Sequence, residues 1–134
     1  MSIRYCDECR TFFLSGKRFS YFMRVTPEGY LYHAYYGERM PETDLSYYRP
    51  DIAGSCNTTI HGTRRRLCSV MQEYATGFLG DFREPALIPL DERGCRMCDL
   101  KYVSYEILSE KPAIRSGIPT ARGGETLKLT LRDE

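Results

Sequence analysis

FSYFMRVTPEGYLYHAYYG, residues 19–37, decides the fold class. Apolar and aromatic residues recur every second position in its first half, so Phe19, Tyr21, Met23 and Val25 share one face of an extended chain. TPEG then combines a proline with a glycine, the chemistry of a tight turn. The second half resumes the alternation, with Leu31, His33 and Tyr35 expected on one face. Two alternating runs around such a turn predict a β-hairpin.

Working outward, the period of two persists. CRMCDLKYVSYEI, residues 95–107, reads as a long strand following a DERG turn, and ETLKLTL, residues 125–131, alternates with Leu127, Leu129 and Leu131 on one face and Lys128 and Thr130 on the other. Seven prolines leave little room for long helices. One segment departs from the pattern. Leu67, Val70, Met71 and Tyr74 fall at the i, i+3, i+4, i+7 positions of a helix of two or three turns, ending near Gly77. The expectation is therefore a mostly β chain with one short helix, with loops over residues 37–62 and 109–124.

A chain of 134 residues has room for one domain and one core. Eleven tyrosines and six phenylalanines supply much of its apolar surface, a composition that favours strands. The net charge of +1 provides no basic field for nucleic acid, and no apolar run is long enough to span a membrane. The opening residues MSIRYCDECR lack the apolar core of a secretion signal, so a cytoplasmic protein with reduced thiols is expected.

Chemistry-bearing constellations are sparse. Cys6-x-x-Cys9 and Cys95-x-x-Cys98 could together supply four thiolates to a structural zinc, or could be small buried thiols. Against zinc, residues 10–94 separate the pairs, whereas a zinc ribbon spaces its knuckles by about 15–20 residues. On a continuous strand Cys95 and Cys98 would also point to opposite faces. His33, between Leu31 and Tyr35, reads as a packed histidine, and His61 lies in a loop without a nucleophile motif. The run Arg64, Arg65, Arg66 is either a solvated face or a site for an anionic or hydroxyl-rich ligand.

QEYATGFLGDFREPA, residues 72–86, resembles a motif of the N-terminal domain of bacterial α-galactosidases of glycoside hydrolase family 36. Gln72, Glu73, Tyr74, Asp81, Phe82, Arg83, Pro85 and Ala86 match it at the same spacing. Leu31, His33, Tyr35 and Gly37 are similar to the family's Leu-x-His-x-Tyr-x-Gly. Asp99, Leu100 and Tyr102 match its Asp-Leu-x-Tyr, Lys111 and Pro112 its Lys-Pro, and Glu125, Thr126 and Leu127 its Glu-Thr-Leu. The likeness spans about residues 18–134. Ala75 replaces the motif's proline, Cys68 stands where aspartate is common, and the four paired cysteines have no counterpart.

The resemblance implies a β-supersandwich domain, residues 1–134 being its first part and incomplete at the C-terminal end. In such enzymes a (β/α)8 barrel follows and hydrolyses terminal α-galactosides of the melibiose and raffinose type with retention, using two carboxyls about 5–5.5 Å apart. The family's nucleophile follows Lys-Trp. This chain has no tryptophan and is too short for a barrel of about 250 residues, so alone it is expected to be inactive, with no catalytic residue, cofactor or metal. Its implied partners are the barrel of the same enzyme, neighbouring subunits of a homo-oligomer and α-galactoside sugars, with neither nucleic acid nor membrane among them. The substrate-binding residues carried over are Asp51 and Arg64 or Arg65, and Asp81 and Arg83 are expected to pin a rim loop packed on Tyr74 and Phe82. The other reading is a stand-alone module binding carbohydrate, or zinc through Cys6, Cys9, Cys95 and Cys98.

Overall fold

The computed structural model describes residues 2–48, 71–77, 84–113 and 123–134. Six strands run in chain order: β1 (Ser2–Cys6), β2 (Thr11–Ser15), β3 (Phe19–Val25), β4 (Leu31–Glu38), β5 (Leu100–Leu108) and β6 (Thr126–Asp133). The first four form an antiparallel meander in the order β1-β2-β3-β4, and β5 and β6 form a separate antiparallel pair. The fold is a two-sheet antiparallel β structure.

The expected hairpin is β3–β4. Thr26 donates its N–H to the Tyr30 carbonyl at 2.8 Å and Gly29 donates to Thr26 at 3.0 Å, while Gly29 takes a φ of 92° that a side chain would oppose. Within β4, however, Phe22 pairs with Tyr35 and Met23 with His33, leaving Ala34 as an extra residue. This β-bulge breaks the expected grouping of Leu31, His33 and Tyr35. His33 stays on the face of Met23 and Tyr21, while Tyr35 turns to the opposite face and meets the Phe22 ring at 5.6 Å.

Both faces of the four-stranded sheet are covered. On one, Phe12, Met23, Val25 and Leu31 pack against Tyr102, Leu127 and Leu129 of the second sheet. On the other, Cys9, Phe13, Phe22, Tyr32, Ala34 and Leu45 form a second cluster, joined by Met40. Arg24 ties this side together by donating to the carbonyls of Cys9 (3.2 and 3.1 Å) and Leu45 (3.1 Å) and to the Tyr32 hydroxyl (2.9 Å). A strand buried on both faces carries adjacent apolar residues instead of an alternation. Phe12-Phe13 and Phe22-Met23 are such pairs.

In the second sheet Leu127, Leu129 and Leu131 stand opposite Ile107, Tyr105 and Tyr102, as the alternation of ETLKLTL requires. A bulge at Val103 lets Tyr102 and Tyr105, three positions apart, both point inward onto Phe12, with ring centroids at 5.9 and 5.2 Å. The strand expected from Cys95 begins only at Leu100. Gly94, with a φ of 79°, donates to Asp91 at 3.0 Å, and the Asp91 carboxylate accepts the N–H groups of Arg93 (2.9 Å) and Cys95 (2.7 Å), so residues 91–95 are turn.

The helix expected over 67–74 lies partly outside the described residues, as do Cys68 and Val70. Its remaining residues are extended: His33 donates its N–H to Met71 at 2.7 Å and Glu73 donates to Leu31 at 3.1 Å, an antiparallel bridge along the free edge of β4. There is no helix among the described residues, hence none long and apolar enough to cross a membrane.

Candidate functional site

That bridge carries Gln72-Glu73-Tyr74 to the edge where the two sheets part. The Glu73 side chain reaches over β4: Oε2 accepts from the Tyr21 hydroxyl and Oε1 lies 3.0 Å from His33 Nδ1. The Tyr21 and His33 rings pack at 5.3 Å between centroids. Burial, reinforced by the carboxylate that takes its hydrogen bond, holds the Tyr21 phenol well above its ordinary value. Beside Glu73 a cleft of about 490 Å³ opens between the sheets, walled by Met23, Leu31, Tyr74, Leu100, Leu129 and Leu131. Both Glu73 oxygens are engaged by protein partners. The carboxylate acts as a tie between segment 71–74 and the sheet.

Beyond Tyr74 the chain returns to itself. Ala86 donates to the Ala75 carbonyl at 2.8 Å and Gly77 donates to Leu87 at 3.0 Å, pairing residues 75–77 with 86–87. Tyr74 is 43% exposed and stands on the cleft wall. Asp81, Phe82 and Arg83 lie outside the described residues, as do Asp51, Arg64 and Arg65.

A second cluster joins the sheets at the β3–β4 turn. Tyr30 donates its hydroxyl to Asp99 Oδ2 at 3.2 Å, and the Lys101 ammonium sits 4.0 Å above the Tyr30 ring and 3.4 Å from the same carboxylate. Burial alone would lower the Lys101 ammonium, but Tyr30 and Asp99 outweigh it and hold the ammonium above its ordinary value. Tyr102 donates its N–H to Gly29 at 2.8 Å in the same region. The family-like Asp-Leu-x-Tyr thus serves to dock one sheet on the other.

The four described cysteines are free thiols, and they do not converge. Cys6 ends β1 and Cys9 lies in the β1–β2 turn, whereas Cys95 is exposed at the DERG turn and Cys98 is buried with its carbonyl accepting from Thr76 at 2.6 Å. Among the described residues no three of His, Cys, Asp and Glu are grouped to hold a metal ion, which removes the four-cysteine zinc reading.

Two packed antiparallel sheets define a β-sandwich domain. The chain belongs to a family of such domains: residues 29–134 match the glycosyl hydrolase family 36 N-terminal domain. It is 34% identical over 141 residues to the bifunctional alpha-galactosidase/sucrose kinase AgaSK of Mediterraneibacter gnavus, covering 100% of this chain and 15% of that protein. It is 31% identical over 140 residues to alpha-galactosidase AgaA of Geobacillus stearothermophilus, covering 99% of this chain and 19% of that one. The crystal structure of the alpha-galactosidase AgaB from Geobacillus stearothermophilus superposes with a TM-score of 0.83 at 30% identity, over 99% of this chain and 19% of that chain. The chain spans 15% and 19% of the length of these two curated relatives.

Proposed function

We propose that this chain is the non-catalytic N-terminal sandwich of a cytoplasmic α-galactosidase, contributing to subunit assembly and sugar binding while a barrel elsewhere in the enzyme carries out retaining hydrolysis. The observation that carries this reading is the anchoring of segment 71–74 on β4 by Glu73, His33 and Tyr21. Residues 49–70, which hold Asp51, Arg64 and Arg65, directly precede that anchored segment in the sequence, and a fixed base is what a ligand-presenting loop requires. Asp51 accepts from sugar hydroxyls and Arg64 or Arg65 donates to them, in charge-assisted hydrogen bonds. In such an enzyme the sandwich continues beyond residue 134, adding strands to the β5–β6 pair.

The test uses the full-length enzyme. Asp51→Ala and Arg65→Ala are each expected to lower kcat/KM for melibiose or raffinose by the equivalent of about 1–3 kcal/mol, with subunit assembly measured in parallel. Unchanged kcat/KM and unchanged assembly in both variants would remove the loop from substrate binding.

A further inference from the structure

Cys6 and Cys9 form a pair that the sheet docking does not use. Cys6 ends β1 and Cys9 lies within the four-residue connection to β2, in which Arg10 donates to the Asp7 carbonyl at 3.3 Å and adopts a φ of 50°. That conformation folds the connection back so that the two side chains meet. The Cys6 thiol stands beside the Cys9 thiol and the amides of Cys9 and Glu8. Both thiols face one side of the sheet: Cys9 is buried within the cluster of Phe13, Phe22, Tyr32 and Leu45, and Cys6 packs half-buried against its edge. Two thiolates alone leave half of a tetrahedral metal site empty, and no third ligand stands beside them among the described residues.

We propose that Cys6 and Cys9 are a reversible dithiol–disulfide couple, with Cys6 the attacking thiol and Cys9 the resolving one, oxidised by exchange with a low-molecular-weight disulfide such as glutathione disulfide. The two sulfurs are in different surroundings. The amides that converge on Cys6 hold its thiol below the ordinary value, whereas burial pushes the Cys9 thiol up. The Cys6 thiolate attacks one sulfur of the external disulfide, whose S–S bond breaks and releases one thiolate. The Cys9 thiol then gives its proton to that thiolate and attacks the Cys6 sulfur, expelling the second. Two protein thiols are oxidised to one disulfide, and one external disulfide is reduced to two thiols.

The experiment equilibrates the complete reduced chain in glutathione buffers, quenches by alkylation and assigns disulfides by peptide mass. The Cys6–Cys9 bond is expected to dominate, with an equilibrium constant about tenfold or more above that of the same chain in urea. Cys9→Ser should accumulate a glutathione adduct on Cys6, whereas Cys6→Ser should leave Cys9 unmodified. Alkylation of the unsubstituted folded protein, faster at Cys6 than at Cys9, gives the same ordering without a variant. Pairing of Cys6 with Cys56, Cys68, Cys95 or Cys98, or Cys6 and Cys9 both still alkylatable in fully oxidised glutathione, would overturn the assignment.

Discussion

Glu125 accepts the main-chain N–H of Ile3 on its Oε2 at 2.7 Å, joining the first strand to the residue that precedes the last. Among the described residues β1 is the edge of its sheet, and this carboxylate satisfies a donor on that edge. The glutamate of the family-like Glu-Thr-Leu is thereby a clasp across the domain. Glu125→Ala is expected to cost about 1–3 kcal/mol in urea unfolding, and Glu125→Gln, which keeps an acceptor, clearly less. Equal losses for the two variants would show that the carbonyl oxygen contributes nothing.

Arg24 spans three pieces of chain with one planar fork, holding Cys9, Tyr32 and Leu45. A lysine offers a compact charge and no fork, so it cannot serve these acceptors together. Arg24→Lys should therefore destabilise by about 2–3 kcal/mol, read from the thermal midpoint. A variant as stable as the parent would mean that the three acceptors find other donors.

Tyr21 makes stability depend on pH at the alkaline end. Its folded-state phenol titrates above the ordinary value, so the stabilisation is complete below about pH 10 and is lost as pH rises through the folded value. Tyr21→Phe should be about 1–3 kcal/mol less stable at pH 7, because Glu73 loses a donor. That gap should narrow above about pH 10, by at most about 1.4 kcal/mol per pH unit and by less because the half-buried ring is screened by solvent. A gap constant to about pH 11.5 would contradict this.

The β5–β6 pair has no further strand on either edge among the described residues. Unpaired edges template association, and a two-stranded sheet is short of partners. The 134-residue chain on its own is expected to self-associate at micromolar concentration, with light scattering as the measure. A monodisperse monomer with a sharp, high melting transition would indicate a self-sufficient domain.

The sequence disclosed some of this better than the rest, for physical reasons. The β3–β4 hairpin and β6 were legible because one face of each carries a regular apolar series, ending at a turn or a charge. β2 was not, because TFFLS is buried from both sides and shows no alternation. The strand read from Cys95 began too early because Asp91 spends its carboxylate on the following amides and bends the chain. Helical spacing at Leu67–Tyr74 misled for residues 71–74, where the open edge of β4 captures the backbone. His33 read as a packed histidine and is half-buried, but its bond to Glu73 could not be seen in spacing alone. The two lie in different motifs, and only the placement of both against β4 unites them.

The bulge at Ala34 also acts as a frame setter. Because side chains alternate, one surplus residue would invert the orientation of everything between it and the end of its strand, and the bulge absorbs that surplus. Flattening the bulge with Ala34 retained would pair Ala34 with Phe22, sending Tyr35 towards the second sheet and Tyr36 to the opposite side, away from the Tyr21 ring it now meets at 5.9 Å. Excising Ala34 instead leaves His33 opposite Met23 and Tyr35 opposite Phe22, the pairs they make now. In this hairpin the kink in the backbone therefore decides which rings face inward.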